Sequence, residues 1–164
     1  MSRDLAISVL DAARKGGVMV ATAESCTGGM VAAALTDIPG SSAVVERGFV
    51  TYTNAAKTEM LGVPAPLIAA HGAVSEEVAR AMADGALARS HAQLAVSITG
   101  IAGPGGSEFK PEGRVCFGLA REGAPTRTET VEFGALGRDK VRAAARDHAL
   151  HLLQLALGDG FTNA

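Results

Sequence analysis

The sequence predicts an α/β fold, a mixed β-sheet covered by helices. Three observations carry this. The short apolar runs at 18–23 and 94–99 and the alternating segment 44–53 have the length and content of strands. Helical patterns separate them, as they do in parallel sheets. Two further strand-like segments, 114–121 and 127–133, are joined by the short turn Glu122-Gly123-Ala124-Pro125, which makes a hairpin and adds antiparallel pairing.

The elements follow in order. Residues 3–15 place Leu5, Ala6, Val9, Leu10 and Ala13 at helical spacing, and Gly16-Gly17 stops the helix. Strand 18–23 is a short apolar run, broken only by Thr22, and reads as buried. The polar segment Glu24-Ser25-Cys26-Thr27 leads into a helix over 28–36, closed by Ile38-Pro39-Gly40. Strand 44–53 is followed by a short helix over 55–62. Pro64, Pro66 and Gly72 then bound a stretch expected to be irregular, before Ser75-Glu76-Glu77 opens a helix to about Ser90. Strand 94–99 runs into a glycine-rich loop that lasts to Gly113. The last helix covers 138–157 with Val141, Ala145, His148, Leu152 and Leu155 as its apolar stripe, and the tail 158–164 is expected to be loose.

Length and composition fit one domain over 1–164 with a buried core. Hydrophobic residues make up 48% and charged residues 20%, which argues against disorder. A net charge of -2 provides no basic field to hold nucleic acid by counterion release. Neither a signal peptide nor an apolar run long enough for a membrane span is recognisable, so the expected compartment is the cytoplasm. Only Cys26 and Cys116 are present, without a CxxC pair, which disfavours a disulfide framework or a structural zinc site. His148 and His151 are three apart on the last helix, but no third ligand accompanies them, and no metal is expected.

Glycine is abundant, 20 residues of 164, and it is clustered. Clusters mark backbone that turns sharply or approaches a ligand closely. Two fall where open α/β sheets gather ligands, at the carboxyl ends of strands. The first is Ser25-Cys26-Thr27-Gly28-Gly29, where a strand feeds a helix. Its unpaired N–H groups could hold a phosphate or an oxyanion, although Ser25 or Thr27 acting as a plain helix cap satisfies the same spacing. The second is Thr99-Gly100-Ile101-Ala102-Gly103-Pro104-Gly105-Gly106. It fits neither the GxGxxG fingerprint, since Glu108 takes the third glycine place, nor a P-loop.

A serine nucleophile needs a base. There is no GxSxG elbow, and Gly28 stands where an SxxK motif would put lysine. Lys57, after the next strand, could serve if desolvation kept it partly neutral; its other reading is an ordinary surface lysine. Tyr52, the one tyrosine, lies nearby in sequence. Cys26 is a rival nucleophile at the same helix start. Arg138 and Arg142, one turn apart at the start of the last helix, suggest anion recognition, or else a pairing with Asp139.

Taken together, Ala23-Glu24-Ser25-Cys26-Thr27-Gly28-Gly29, Tyr52-Thr53-Asn54-Ala55-Ala56-Lys57 with Leu61-Gly62-Val63, Gly72-Ala73-Val74-Ser75 and the segment from Thr99 to Gly106 resemble the CinA C-terminal domain family, in order and over nearly the whole chain. The resemblance implies a three-layer α/β/α sandwich, a homo-oligomer and, with nothing here resembling the family's second domain, its stand-alone form. It implies a nicotinamide-nucleotide amidohydrolase that converts nicotinamide mononucleotide to nicotinic acid mononucleotide and ammonia in pyridine-nucleotide salvage, with no cofactor. Ser25 would be the nucleophile, Lys57 the base and Tyr52 an aid to proton transfer. Thr27, Gly28 and Gly29 would flank the oxyanion. Thr99, Gly100, Gly103, Gly105 and Gly106 would line the substrate site, and Arg138 and Arg142 would reach the phosphate. A nucleotide-binding regulatory module without turnover, and an amidase for another carboxamide, are the alternatives.

Overall fold

A computed structural model describes residues 2–158. Six helices and five strands follow one another as α1 (Ser2–Gly16), β1 (Val20–Glu24), α2 (Met30–Thr36), β2 (Val45–Val50), α3 (Asn54–Leu61), α4 (Ala65–His71), α5 (Glu76–Ala88), β3 (Leu94–Gly100), β4 (Arg114–Arg121), β5 (Arg127–Glu132) and α6 (Arg138–Gly158). The sheet order is β2-β1-β3-β4-β5. The first three strands are parallel, with Glu24 of β1 level with Val50 and Ile98, and the β4–β5 hairpin continues the sheet antiparallel. The mixed sheet expected from sequence is the one observed.

Alternation along the strands divides the core between the two faces of the sheet. Val20, Leu94, Val96, Ile98, Val115 and Phe117 point to one face, where α1, α2 and α6 bury them under Val9, Leu10, Leu35 and Leu150. The other face carries small residues, Ala21, Ala23 and Ala95, beneath Leu61 of α3, Ile68 of α4 and Val78 and Met82 of α5. These are the three layers of an α/β/α sandwich. Because the second face is so thin, α5 lies close to the sheet. Ser97 Oγ donates to the carbonyl of Ala79 at 2.6 Å, and a Cβ on Gly118 would stand 2.5 Å from the same oxygen.

Local signals set the helix ends. Thr53 caps α3 by accepting from the Ala56 N–H at 3.0 Å, and Gly62, in the left-handed region at φ 71, closes it. Ser75 caps α5 through the Val78 N–H at 3.2 Å, with Glu76 and Glu77 favourably placed in the first turn.

Three expectations change. The stretch after Gly62 is not irregular but forms α4, seven residues with Pro66 in the first turn, where proline costs a helix nothing. The buried stripe of α6 is Val141, Ala145, Ala149, Leu150, Leu153 and Ala156; Leu155 is exposed and Leu152 only half-buried, because a 21-residue helix drifts relative to a stripe of fixed spacing. Strand β2 ends at Val50, before Thr51 to Thr53, and α2 begins at Met30, so Gly28 and Gly29 belong to the connection. His148 is half-buried and satisfied, 4.6 Å from the Phe117 ring and with Nε2 2.5 Å from Glu129 Oε1. The expected loose tail lies outside the described residues apart from Gly158, which ends α6. Among the described residues no helix is long and apolar enough to cross a membrane.

Close packing of α5 on α3 bears directly on what α3 carries. A Cβ on Gly85 would overlap the Leu61 carbonyl, one turn beyond Lys57. Gly85→Ala is therefore expected to force the two helices apart and destabilise the fold by about 2 kcal/mol or more, read as a lower midpoint in urea denaturation. A helix-interior glycine without this contact would instead gain stability from alanine.

Candidate active site

The carboxyl ends of the three parallel strands converge. β1 delivers Ser25 and Cys26, β2 runs through Thr51 to Tyr52 and α3, and β3 ends in Thr99 and Gly100. Backbone bonds lock these exits together: the Ser25 N–H donates to Ile98 O at 3.0 Å and the Thr51 N–H to Glu24 O at 2.9 Å. Between them lies a cavity of about 320 Å³, lined by Ser25, Cys26, Tyr52, Asn54, Lys57, Ala73, Val74, Glu108, Arg138 and the segment from Thr99 to Ser107. That volume sits at the lower end of those usual for small-molecule sites.

Lys57 is the central finding. It is 2% exposed, and its ammonium donates to Ser25 Oγ at 3.2 Å and to the Thr51 carbonyl at 3.2 Å. No carboxylate forms an ion pair with it among the described residues. Burial pushes its pKa below the ordinary lysine value of 10.5, against the opposing pull of the Glu108 carboxylate. A surface lysine has neither property. Ser25 is itself buried, at 8% exposure. The rival thiol is held neutral: burial pushes Cys26 up to about 11 despite its own backbone N–H, Arg142 and Lys57.

The turn that presents Ser25 is clamped from two sides. Glu24, fully buried, accepts from Thr27 Oγ1 at 2.6 Å and from the N–H groups of Val31 at 2.9 Å and Ala32 at 3.0 Å. It thus satisfies the first turn of α2 from a remote position, the task a neighbouring Ser or Asp usually performs. From the other side Arg142 donates through Nε to Cys26 O at 3.0 Å and through Nη2 to Thr27 O at 3.4 Å. Within the turn the Gly28 N–H donates to Ser25 O at 2.9 Å, with Gly28 left-handed at φ 58.

These contacts sort the residues singled out by sequence. Ser25, Lys57, Tyr52, Thr99, Gly100, Gly103, Gly105, Gly106 and Arg138 all line the cavity. Arg138 donates to Gly103 O at 2.7 Å and to Tyr52 Oη at 2.6 Å, joining the glycine loop to the β2 exit. Thr99 Oγ1 donates to Ala73 O at 2.8 Å. Thr27, Gly28, Gly29 and Arg142 stand outside the lining, occupied in holding the turn. Sequence reasoning passed over Asn54, Glu108 and the role of Glu24. A buried glutamate between an apolar strand and a helix start was the available signal for the last.

An α/β protein with a buried serine–lysine pair in a polar cleft at the ends of its parallel strands is the class defined by fold and site. Comparison with known proteins makes this particular. The CinA C-terminal domain profile matches residues 2–157, and the chain belongs to that family. A CinA-like protein of Mycobacterium sp. (strain MCS) is 57% identical over 150 residues, covering 91% of this chain and 35% of that protein. The chain thus spans about a third of the length of the curated relatives it matches. Competence/damage inducible protein CihA from Agrobacterium tumefaciens superposes with a TM-score of 0.92 at 48% identity, over 96% of this chain and 95% of its own. A CinA superfamily protein from Klebsiella pneumoniae gives 0.92 at 35% identity, over 97% and 99%.

Glu24→Gln tests the clamp. An amide nitrogen facing N–H donors loses at least one charge-assisted bond, so stability should fall by about 2 kcal/mol in urea denaturation. A loss near zero would show the turn to be held without the carboxylate.

Proposed function

We propose that the protein hydrolyses the carboxamide of nicotinamide mononucleotide to nicotinic acid mononucleotide and ammonia, as a cytoplasmic homo-oligomer serving pyridine-nucleotide salvage. The observation that carries the chemistry is the 3.2 Å contact between Lys57 Nζ and Ser25 Oγ inside a buried site. The family resemblance supplies the substrate.

In this mechanism Lys57, in its neutral form, takes the proton from Ser25 Oγ as that oxygen attacks the carboxamide carbon. Thr51 O orients the amine. Backbone N–H groups of the cavity wall would hold the oxyanion; those of Gly28 and Gly105 are already taken, by Ser25 O and by Glu112. Collapse of the tetrahedral intermediate breaks the C–N bond, and the proton held by Lys57 leaves with the nitrogen as ammonia. Water then attacks the acyl-serine, Lys57 taking its proton and returning one to Ser25. Tyr52 assists this proton traffic from the cavity mouth. Arg138, anchored to Tyr52 and Gly103, is the cation offered to the phosphate, and Arg142 supports from behind the turn. Protein groups and water suffice for every step.

Ammonia release from nicotinamide mononucleotide, with nicotinamide and glutamine as controls, is the direct assay. Ser25→Ala should leave only trace turnover with the fold intact by circular dichroism. Release from a control carboxamide alone would point to a different amidase, and no release from any of them to a binding module without turnover.

Lys57 makes a second prediction with two readouts. Its proton must be off for attack, so kcat/KM should rise with pH to a midpoint below 10.5. Lys57→Met should abolish turnover yet raise stability at neutral pH. It removes a desolvated cation that has no ion-pair partner, and a gain of about 1 kcal/mol would lift the Tm by roughly 2–4 °C. An unchanged rate in Lys57→Met would overturn the assignment.

A further inference from the structure

One charged group in the cavity has no part in the acyl transfer. Among the described residues Glu108 is the sole carboxylate in the lining, against the cations Lys57 and Arg138. We propose that Glu108 recognises the positive charge of a pyridinium ring, so that the site selects N-substituted, cationic nicotinamides over neutral carboxamides of the same shape. The proposal rests on the substrate reading above and sharpens it.

The backbone around Glu108 is built to hold a side chain in place. Ser107 and Lys110 exchange both backbone bonds, at 3.0 and 2.8 Å, across a two-residue turn. Glu108 and Phe109 take left-handed conformations there, φ 52 and 63, which non-glycine residues adopt only where surroundings impose them. The two-residue turn itself requires them, and Lys110 fastens it: its ammonium donates to His71 O at 2.7 Å and Val74 O at 2.5 Å, pinning the turn to the exit of α4 and the entry of α5. The Gly105 N–H, bound by Glu112 at 2.7 Å, ties down the other arm of the loop. Glu108 therefore projects from a fastened turn, with its carboxylate beside the backbone of Gly72.

That carboxylate makes no hydrogen bond or close ion pair among the described residues; the Lys110 ammonium lies beside the same point of Gly72 without pairing to it, and the Glu108 charge is felt at Lys57 inside the cavity. An exposed carboxylate without a hydrogen bond at a cavity wall suits one kind of ligand. A ring nitrogen bonded to ribose has no N–H to donate, so a hydrogen-bond acceptor cannot single it out, whereas opposite charge can. The rest of the cavity agrees with a ligand of two charges, since Arg138 presents a cation to a phosphate and Glu108 an anion to the ring. In open solvent the attraction is small; it grows as the ligand displaces water from between the charges.

The test measures binding by calorimetry to the Ser25→Ala protein, which cannot turn over, at mildly alkaline pH. The probes are nicotinamide mononucleotide and its 1,4-dihydro form, which shares phosphate, ribose and carboxamide but has a neutral ring. The oxidised nucleotide should bind roughly fivefold more tightly than the reduced one. Adding Glu108→Gln should bring the ratio near one by weakening the oxidised nucleotide alone. Any effect on Lys57 is common to both ligands and cancels in the ratio. An unchanged ratio, or equal weakening of both, overturns the role of Glu108 while leaving the substrate standing. Failure of the Ser25→Ala protein to bind either nucleotide overturns the substrate reading and this inference with it.

Discussion

Removing the Lys57 ammonium from water is the constraint on which the site depends. A lysine at 2% exposure with only a hydroxyl and a carbonyl as hydrogen-bond partners is held at a cost, and folding must supply the difference from elsewhere. Close packing of α5 against α3 and of α5 against a sheet face made of alanine, serine and glycine supplies it. Those small residues are what bring α3 near enough for its lysine to reach across to β1.

The serine's side of the pair is rigid for a different reason. The Ser25 turn is short, left-handed at both glycines and followed by a helix of only seven residues, none of which is strong local structure. Glu24 and Arg142 replace that missing strength. One binds donors beyond the turn and the other binds acceptors within it, so each end of the local dipole meets its opposite charge. Catalytic proposals for glycine-rich turns commonly assign the glycines to the ligand. Here their freedom lets the chain reverse between β1 and α2, while the cavity wall on that side is made by Ser25 and Cys26.

Much of this was legible in the chain. Runs of strand length, the helix start at Ser75 and the stop at Gly16-Gly17 are local features, and they place nearly every element, while the cap at Thr53 and the stop at Gly62 lay hidden inside a strand and a helix drawn too long. The hairpin told that the sheet was mixed. The pairing of Ser25 with Lys57 was accessible only through resemblance, since spacing alone allowed a helix cap and a surface lysine. Helix α4 escaped notice because prolines read as interruption when they also suit a first helical turn. The stripe of α6 was misplaced because every third or fourth residue of that helix is apolar enough to qualify, and only its neighbours select the face.

By itself, then, the amino-acid sequence determined the order and kind of the elements, and that polar and glycine-rich segments would follow β1 and β3, because propensity, capping and turn formation act over a few residues. Tertiary structure alone decided which side chains share the cavity. The order β2-β1-β3 brings Lys57 across 32 positions to Ser25, turns Arg142 toward backbone carbonyls while Arg138 faces the cavity, and sets Glu108 in its wall. Burial and distance are properties of neighbours in space, and no local pattern encodes them.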